Sequence, residues 1–160
     1  MKYLKINVGD KIPEFSLNNE EGNEINSNDF LGKWVVLYFY PRDNTPGCTK
    51  EAVDFTKYID EFKNLNCEVV GISPDNEKKH HNFKQKNDLQ VILLADPEHQ
   101  VLEQFGVWQL KKSYGRENWG VVRTTFLVDP KGIIKKVWEN VSVKDHVSTV
   151  LKSLKELLED

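Results

Sequence analysis

The chain has 160 residues, of which 39% are hydrophobic and 29% charged, with a net charge of −3. That is enough chain for one buried core and too little basic charge to predict a nucleic-acid partner. No uncharged apolar stretch approaches membrane-spanning length. Met1-Lys2-Tyr3-Leu4-Lys5 leads into no apolar signal core, so a cytoplasmic protein is expected.

Residues 1–13 read as an irregular lead-in. Phe15-Ser16-Leu17 alternates like a short strand, and the polar cluster Asn18 to Gly22 turns it into a hairpin with Glu24-Ile25-Asn26. Ser27-Asn28-Asp29-Phe30 opens a single helical turn. Trp34 to Tyr40 is a continuous run of β-branched and aromatic residues, as a strand buried on both faces would be. A Pro/Gly-rich loop follows and opens a helix running to Leu65, with Ala52, Phe55, Tyr58, Ile59, Phe62 and Leu65 on its apolar face. Thr45 is a favoured N-cap residue and Pro46 a favoured first helical residue, which makes Cys48 the third helical position.

Cys67 to Ser73 is the next strand. Asn76 or Asp75 caps a polar helix over Glu77–Asn87, and Val91 to Leu94 is a short apolar strand. Val101, Leu102 and Phe105 mark a short helix ending at Gly106. Trp108 to Glu117 reads as a basic, irregular segment. Val121 to Val128 is a strand, turned by Asp129-Pro130-Lys131-Gly132 into Ile133 to Trp138. An amphipathic helix closes the chain, with Val147, Val150, Leu151, Leu154, Leu157 and Leu158 on one face. This order predicts an α/β sandwich, a mixed central β-sheet flanked by helices, with the first two long strands parallel and adjacent. No repeat, linker or low-complexity tract interrupts it, so one domain over residues 1–160 is expected.

The chemistry points to Cys48. At the start of a helix its sulfur faces unpaired backbone N–H groups and the positive end of the helix dipole, which favours the reactive thiolate. Three reactions suit such a thiolate. Dithiol exchange wants a second cysteine two residues away, but position 51 is Glu and position 45 is Thr. Phosphate-ester chemistry wants an arginine cradle just after the cysteine, and Thr49 to Leu65 contains none. Peroxide reduction wants donors to both peroxide oxygens and a permanent cation. Thr45 offers a hydroxyl, and Arg123, set in an otherwise apolar strand where an unpaired charge is costly, offers the cation.

Pro41-xxx-Thr45-xx-Cys48, continued by Thr49-Lys50-Glu51, resembles the peroxidatic motif of the peroxiredoxins. The longer stretch Phe39 to Glu51 is similar to the peroxiredoxin Q, or bacterioferritin comigratory protein, subfamily. Phe105-Gly106-Val107-Trp108, Tyr114-Gly115 and Arg123-Thr124-Thr125-Phe126-Leu127-Val128-Asp129 agree with it. The resemblance implies a thioredoxin-like fold and a thiol-dependent peroxidase for hydrogen peroxide and small organic hydroperoxides, without metal or flavin. It makes Cys48 the peroxidatic cysteine, oxidised to sulfenic acid. Thr45 becomes a hydrogen-bond partner of the peroxide, Arg123 the cation that stabilises the thiolate, Pro41 the shield of the nascent sulfenic acid, and Glu51 the group that holds the network around the arginine. The partners implied are a hydroperoxide and an external thiol reductant (thioredoxin, glutaredoxin or a small thiol), for a monomer or weak homodimer. The rival class is a non-enzymatic redox sensor or chaperone, which need not turn over.

Many members of this subfamily place a resolving cysteine five residues after the peroxidatic one; here that residue is Val53. Cys67, the other thiol, lies beyond a helix of about 25 Å at 1.5 Å per residue, so it is expected to be inert and the cycle to use one cysteine. His80 and His81 are adjacent on a helix and point about 100° apart, which makes them poor joint metal ligands. Both are expected in solvent, as are His99 and His146. Trp108, Tyr114 and Trp119 fit either a pocket mouth or core packing.

Overall fold

The computed structural model describes residues 4–159, so the first three residues of the expected lead-in lie outside the described residues. In chain order the elements are β1 (Ser16–Asn19), β2 (Glu24–Asn26), a 3₁₀ turn (Ser27–Phe30), β3 (Trp34–Phe39), α1 (Pro46–Lys57), α2 (Ile59–Asn64), β4 (Cys67–Ser73) and α3 (Glu77–Asn87). Then come β5 (Ile92–Ala95), α4 (Gln100–Phe105), β6 (Trp108–Ser113), β7 (Arg116–Val121), β8 (Thr124–Val128), β9 (Ile134–Trp138) and α5 (His146–Leu158). Seven strands form one mixed sheet in the order β2-β1-β5-β4-β3-β8-β9, and β6 and β7 form a separate two-stranded ribbon. As expected, β3 and β4 are parallel neighbours.

The central strand divides the core in two. Side chains alternate across a strand, so Val36, Tyr38 and Tyr40 pack on one face with Cys48, Phe55, Phe62 and Leu154. Val35, Leu37 and Phe39 pack on the other with Ile72, Phe105, Val107 and Phe126. The continuous apolar run read from the sequence is thus a strand covered on both sides. Polar caps fix the helix starts: Asn26 forms a capping box with Asp29, and Asn76 accepts from the Lys79 N–H at the start of α3.

Three expectations are corrected. The helix after Cys48 is not continuous to Leu65: it breaks at Tyr58, whose φ of −103° and ψ of 11° end α1 and begin α2. The segment Trp108 to Glu117 is not irregular; it forms most of the β6–β7 ribbon. Ser113 pairs with Arg116, leaving Tyr114 (φ 53°) and Gly115 (φ 77°) as a two-residue turn with both φ positive, the backbone twist that matches a hairpin. The run Val121 to Val128 is not one strand either. It is cut at Val122 and Arg123: the Val122 N–H donates to the Val107 carbonyl, and the Arg123 carbonyl accepts from Val141 N–H.

Gly71, in β4, faces the ring of Tyr38 across the parallel ladder. A Cβ there would lie 2.6 Å from the ring, and Tyr38 is fully buried and stacked on Phe55 with centroids 4.7 Å apart. Gly71→Ala is expected to destabilise the fold by about 1–3 kcal/mol through overpacking. Denaturant unfolding measures this, and an unchanged midpoint would contradict it.

Candidate active site

The loop from Pro41 to Thr45 leaves the end of β3 and enters α1. Thr45 is the N-cap residue with extended backbone (φ −84°, ψ 152°), but its side chain makes no cap bond. The hydroxyl donates instead to the Arg42 carbonyl at 3.0 Å, which ties the loop to itself. Cys48 occupies the third position of α1, as expected, and is 1% exposed.

Arg123 reaches this thiol from the break between β7 and β8. Its Nη2 donates to Cys48 Sγ at 3.3 Å, and its Nη1 donates to Glu51 Oε1 at 2.6 Å. One planar guanidinium therefore holds the sulfur and a carboxylate with separate N–H groups. Burial works against its charge, but Glu51 and Cys48 beside it outweigh burial and hold the group charged more firmly than usual. Glu51 lies one turn further along α1 and is wholly buried, with Oε2 lacking a hydrogen-bond partner among the described residues. Burial pushes its carboxyl up to about 7, and Arg123 pulls it only part of the way back. The helix carrying Cys48 comes close to the arginine at Gly47, where a Cβ would sit 3.3 Å from Nη2.

The sequence placed Arg123 inside a strand; it lies between two. That break frees the side chain from the in-and-out alternation of a sheet and lets it cross to α1. Pro41, Arg42 and Thr45 line an open cleft of roughly 580 Å³ whose far wall includes Trp108, Trp119 and Val121. Of the three aromatics left open by the sequence, Trp108 and Trp119 line this cleft, while Tyr114 stands fully exposed at the ribbon turn. Cys67 begins β4, buried, and burial pushes its thiol up to about 12.

Two histidines expected in solvent are buried. His146 opens α5 at 6% exposure, with Nε2 paired to Thr125 Oγ1 at 2.9 Å. Burial, and then the charge of Arg123, lower its pKa to about 4. His80 is 0% exposed. Its Nε2 lies 2.9 Å from the Leu94 carbonyl and its Nδ1 lies 2.7 Å from Asp43 Oδ2. A carbonyl only accepts, so the pattern assigns a proton to Nε2, and a second proton must lie between Nδ1 and the carboxylate. Asp43 is also bound by the Tyr40 hydroxyl at 2.7 Å, and its N–H donates to Asp75 Oδ2 at 2.8 Å. Asp43, Asp75 and His80 bring potential metal-ligand atoms within 4.8 Å of one another. Those atoms are engaged with protein groups, including Ser73 Oγ at 2.8 Å from Asp75 Oδ2, so the cluster is built as a hydrogen-bonded brace. His81 is exposed as expected, and His99 is partly buried against Trp108, ring centroids 3.8 Å apart. Phe83, three residues after His80 on the same face of α3 and fully buried, is the sequence signal that this face turns inward.

Residues 8–137 match the AhpC/TSA family. The chain is 45% identical over 156 residues to Peroxiredoxin Bcp of Bacillus subtilis, covering 98% of this chain and 99% of that protein. It is 41% identical over 151 residues to Peroxiredoxin Bcp of Escherichia coli, covering 94% and 97%. Among solved structures, the bacterioferritin comigratory protein of Xanthomonas campestris, studied for its alkyl peroxide reduction, superposes with a TM-score of 0.85 at 34% identity over 89% of this chain and 90% of that one. A PrxQ mutant of Xylella fastidiosa gives a TM-score of 0.91 at 32% identity over 96% and 98%. These likenesses bear out the thioredoxin-like fold expected from the sequence.

Two outcomes follow from the buried groups. At about pH 8, with the thiol of Cys67 held near 12, iodoacetamide should leave Cys67 unlabelled in the folded protein, since only a thiolate reacts; peptide mapping reads this, and rapid labelling of Cys67 would contradict it. His146 is depressed from 6.5 to about 4 in the fold. Its neutral form therefore stabilises the protein above pH 6.5, and that contribution is lost as the pH falls towards 4. Glu51, raised to about 7, acts in the opposite sense, its contribution being lost as the pH rises to 7. Thermal unfolding of His146→Gln should lose less stability than wild type between pH 6.5 and 4, and an equal loss would contradict the assignment.

Proposed function

The chain belongs to the AhpC/TSA family as a peroxiredoxin of the Bcp (PrxQ) type, and from that premise we propose a thiol-dependent peroxidase that reduces hydrogen peroxide and small organic hydroperoxides at Cys48. The observation that carries the assignment to Cys48 is the 3.3 Å contact from Arg123 Nη2 to its sulfur, at the third position of a helix. The helix N-terminus and the guanidinium both turn donors and positive charge towards the sulfur, and the thiolate is the form that attacks. In the reaction the thiolate attacks the terminal oxygen of the hydroperoxide. A sulfur–oxygen bond forms, the oxygen–oxygen bond breaks, and its electron pair leaves with the alkoxide or hydroxide, which takes a proton from solvent. Cys48 becomes the sulfenic acid.

Charge thus moves from sulfur to the departing oxygen. Donors aimed at that path lower the barrier. Arg123 is the permanent cation beside it, Thr45 supplies a hydroxyl at the loop edge, and Pro41 at the cleft wall shields the sulfenic acid from water. Glu51 keeps the guanidinium oriented. The Trp108 and Trp119 wall suits small organic hydroperoxides, in keeping with the alkyl peroxide reduction studied in the Xanthomonas relative.

Recycling uses an external thiol. Val53 holds the position of a helix-borne resolving cysteine and is partly exposed, and Cys67 is buried and held protonated. Two molecules of thiol then return the sulfenic acid to the thiol, leaving as a disulfide and releasing water. A reductant of the thioredoxin class, acting on a monomer or weak dimer in the reducing cytoplasm, completes the reading. Among the described residues, no helix is long and apolar enough to cross a membrane.

Stopped-flow oxidation by hydrogen peroxide and by cumene hydroperoxide tests the assignment. Arg123→Lys keeps a charge but loses the two-pronged geometry, and should slow the reaction about 10²-fold, the usual effect of losing one transition-state donor. Glu51→Gln keeps an acceptor for Nη1 and should slow it far less than Glu51→Ala. Near-wild-type rates for Arg123→Lys would contradict the role given to the guanidinium. Sustained turnover with a thiol donor separates a peroxidase from a redox sensor.

A further inference from the structure

The buried Asp43–His80 contact lies outside the Cys48–Arg123–Glu51 constellation, and the reaction as described makes no use of it. Asp43 stands midway between Pro41 and Thr45, the two loop residues that face the peroxide in the peroxidase reading, on which the inference rests. It is the anchored point of that loop. Its Oδ1 accepts from the Tyr40 hydroxyl at 2.7 Å, its Oδ2 meets His80 Nδ1 at 2.7 Å, and its N–H donates to Asp75 at 2.8 Å. The next residue, Asn44, turns the chain with a φ of 66°, a left-handed conformation that asparagine tolerates better than most residues. His80 in turn is fixed to the sheet interior by its bond to the Leu94 carbonyl in β5. A rigid path therefore runs from the sheet through His80 and Asp43 to the loop over Cys48, while Arg123 reaches the same sulfur from the other side.

We propose that His80 is a positioning residue of the peroxidase: acting through Asp43, it holds Pro41 and Thr45 in register with Cys48 without touching substrate. Two supports of the site then have separate tasks. Arg123 and the helix N-terminus hold the sulfur and turn donors towards it. The Asp43–His80 brace sets how the loop meets the peroxide. A defect in the brace should slow the reaction with peroxide and leave the reaction with an alkylating agent, which needs only the thiolate, nearly unchanged.

Two substitutions divide the functions of the imidazole. The amide of His80→Asn lies near the place of Nδ1 and can still donate to Asp43. The amide of His80→Gln lies near the place of Nε2 and can bond Leu94 but not Asp43. For each variant, folded by circular dichroism, the rate constant for hydrogen peroxide is measured beside that for iodoacetamide at one pH. His80→Gln should lose about tenfold or more with peroxide, as expected for a misplaced site, with alkylation within about twofold of wild type, and His80→Asn should recover most of the loss. Equal peroxide rates in all three proteins overturn the proposal, as does a parallel loss of both reactions in His80→Gln. Should His80→Gln not fold, Tyr40→Phe removes the hydroxyl that donates to the Asp43 carboxylate and keeps the ring. It must show the same split between peroxide and iodoacetamide, or the proposal fails. Wild-type protein that does not react with peroxide at all would instead overturn the peroxidase reading itself.

Discussion

One guanidinium organises this site. Arg123 donates to Cys48 with one nitrogen and to Glu51 with the other, so the position of the sulfur, the cation and the carboxylate are a single geometric fact. A partly buried arginine is best tolerated when its donors are matched and its charge is countered; here the counterion, Glu51, sits one helical turn past the thiol that shares the guanidinium. The interruption between β7 and β8 exists for the same reason. With its carbonyl bound to Val141 rather than to a sheet neighbour, Arg123 is free to extend towards α1. Gly47 leaves room for the head group.

Glu51 is the counterpart whose state is finely set. Its carboxyl is poised at about 7 because burial and the nearby arginine oppose each other. When ionised it holds the arginine tightly and offsets part of its charge; when protonated it leaves that charge to the sulfur. The hydrogen-bonded brace on the far side of the loop is, by contrast, fully engaged through Tyr40, Asp43, Asp75 and His80. Satisfied buried networks are stiff, because every alternative arrangement leaves a polar group without a partner. The loop over Cys48 is thus gripped by rigid polar contacts at its middle and by a helix cap position at its end.

Much of this was legible in the sequence because the signals were local. The Thr45-Pro46 start fixed Cys48 as the third helical residue, Asn76 marked the start of α3, and the apolar runs of β3 and β4 announced a buried parallel pair. What was misread depended on distant neighbours. Arg123 sits among residues of high strand propensity, and only the contacts of Val122 with Val107 and of Arg123 with Val141 break the strand there. The β6–β7 ribbon was missed because its turn uses Tyr114-Gly115 in place of the usual Asn-Gly, and its strands carry several charges. His80 and His146 looked solvated because histidine is polar. Each is buried opposite a specific oxygen, Asp43 and Leu94 for one and Thr125 for the other, and no local pattern names those partners. Residue chemistry pointed to Cys48, Thr45 and Arg123, and the resemblance added Pro41 and Glu51; the structure adds the brace behind the loop, which no motif contained.

The proposed peroxidase cycle rests on Cys48 alone within the chain. Intact-mass spectrometry of the reduced protein after one equivalent of hydrogen peroxide, beside Cys48→Ser and Cys67→Ser, tests it most directly. Wild type and Cys67→Ser should each gain one oxygen while Cys48→Ser stays unchanged. Oxygen gained by Cys48→Ser, or a wild type that instead loses two hydrogens to a disulfide absent in Cys67→Ser, would contradict it.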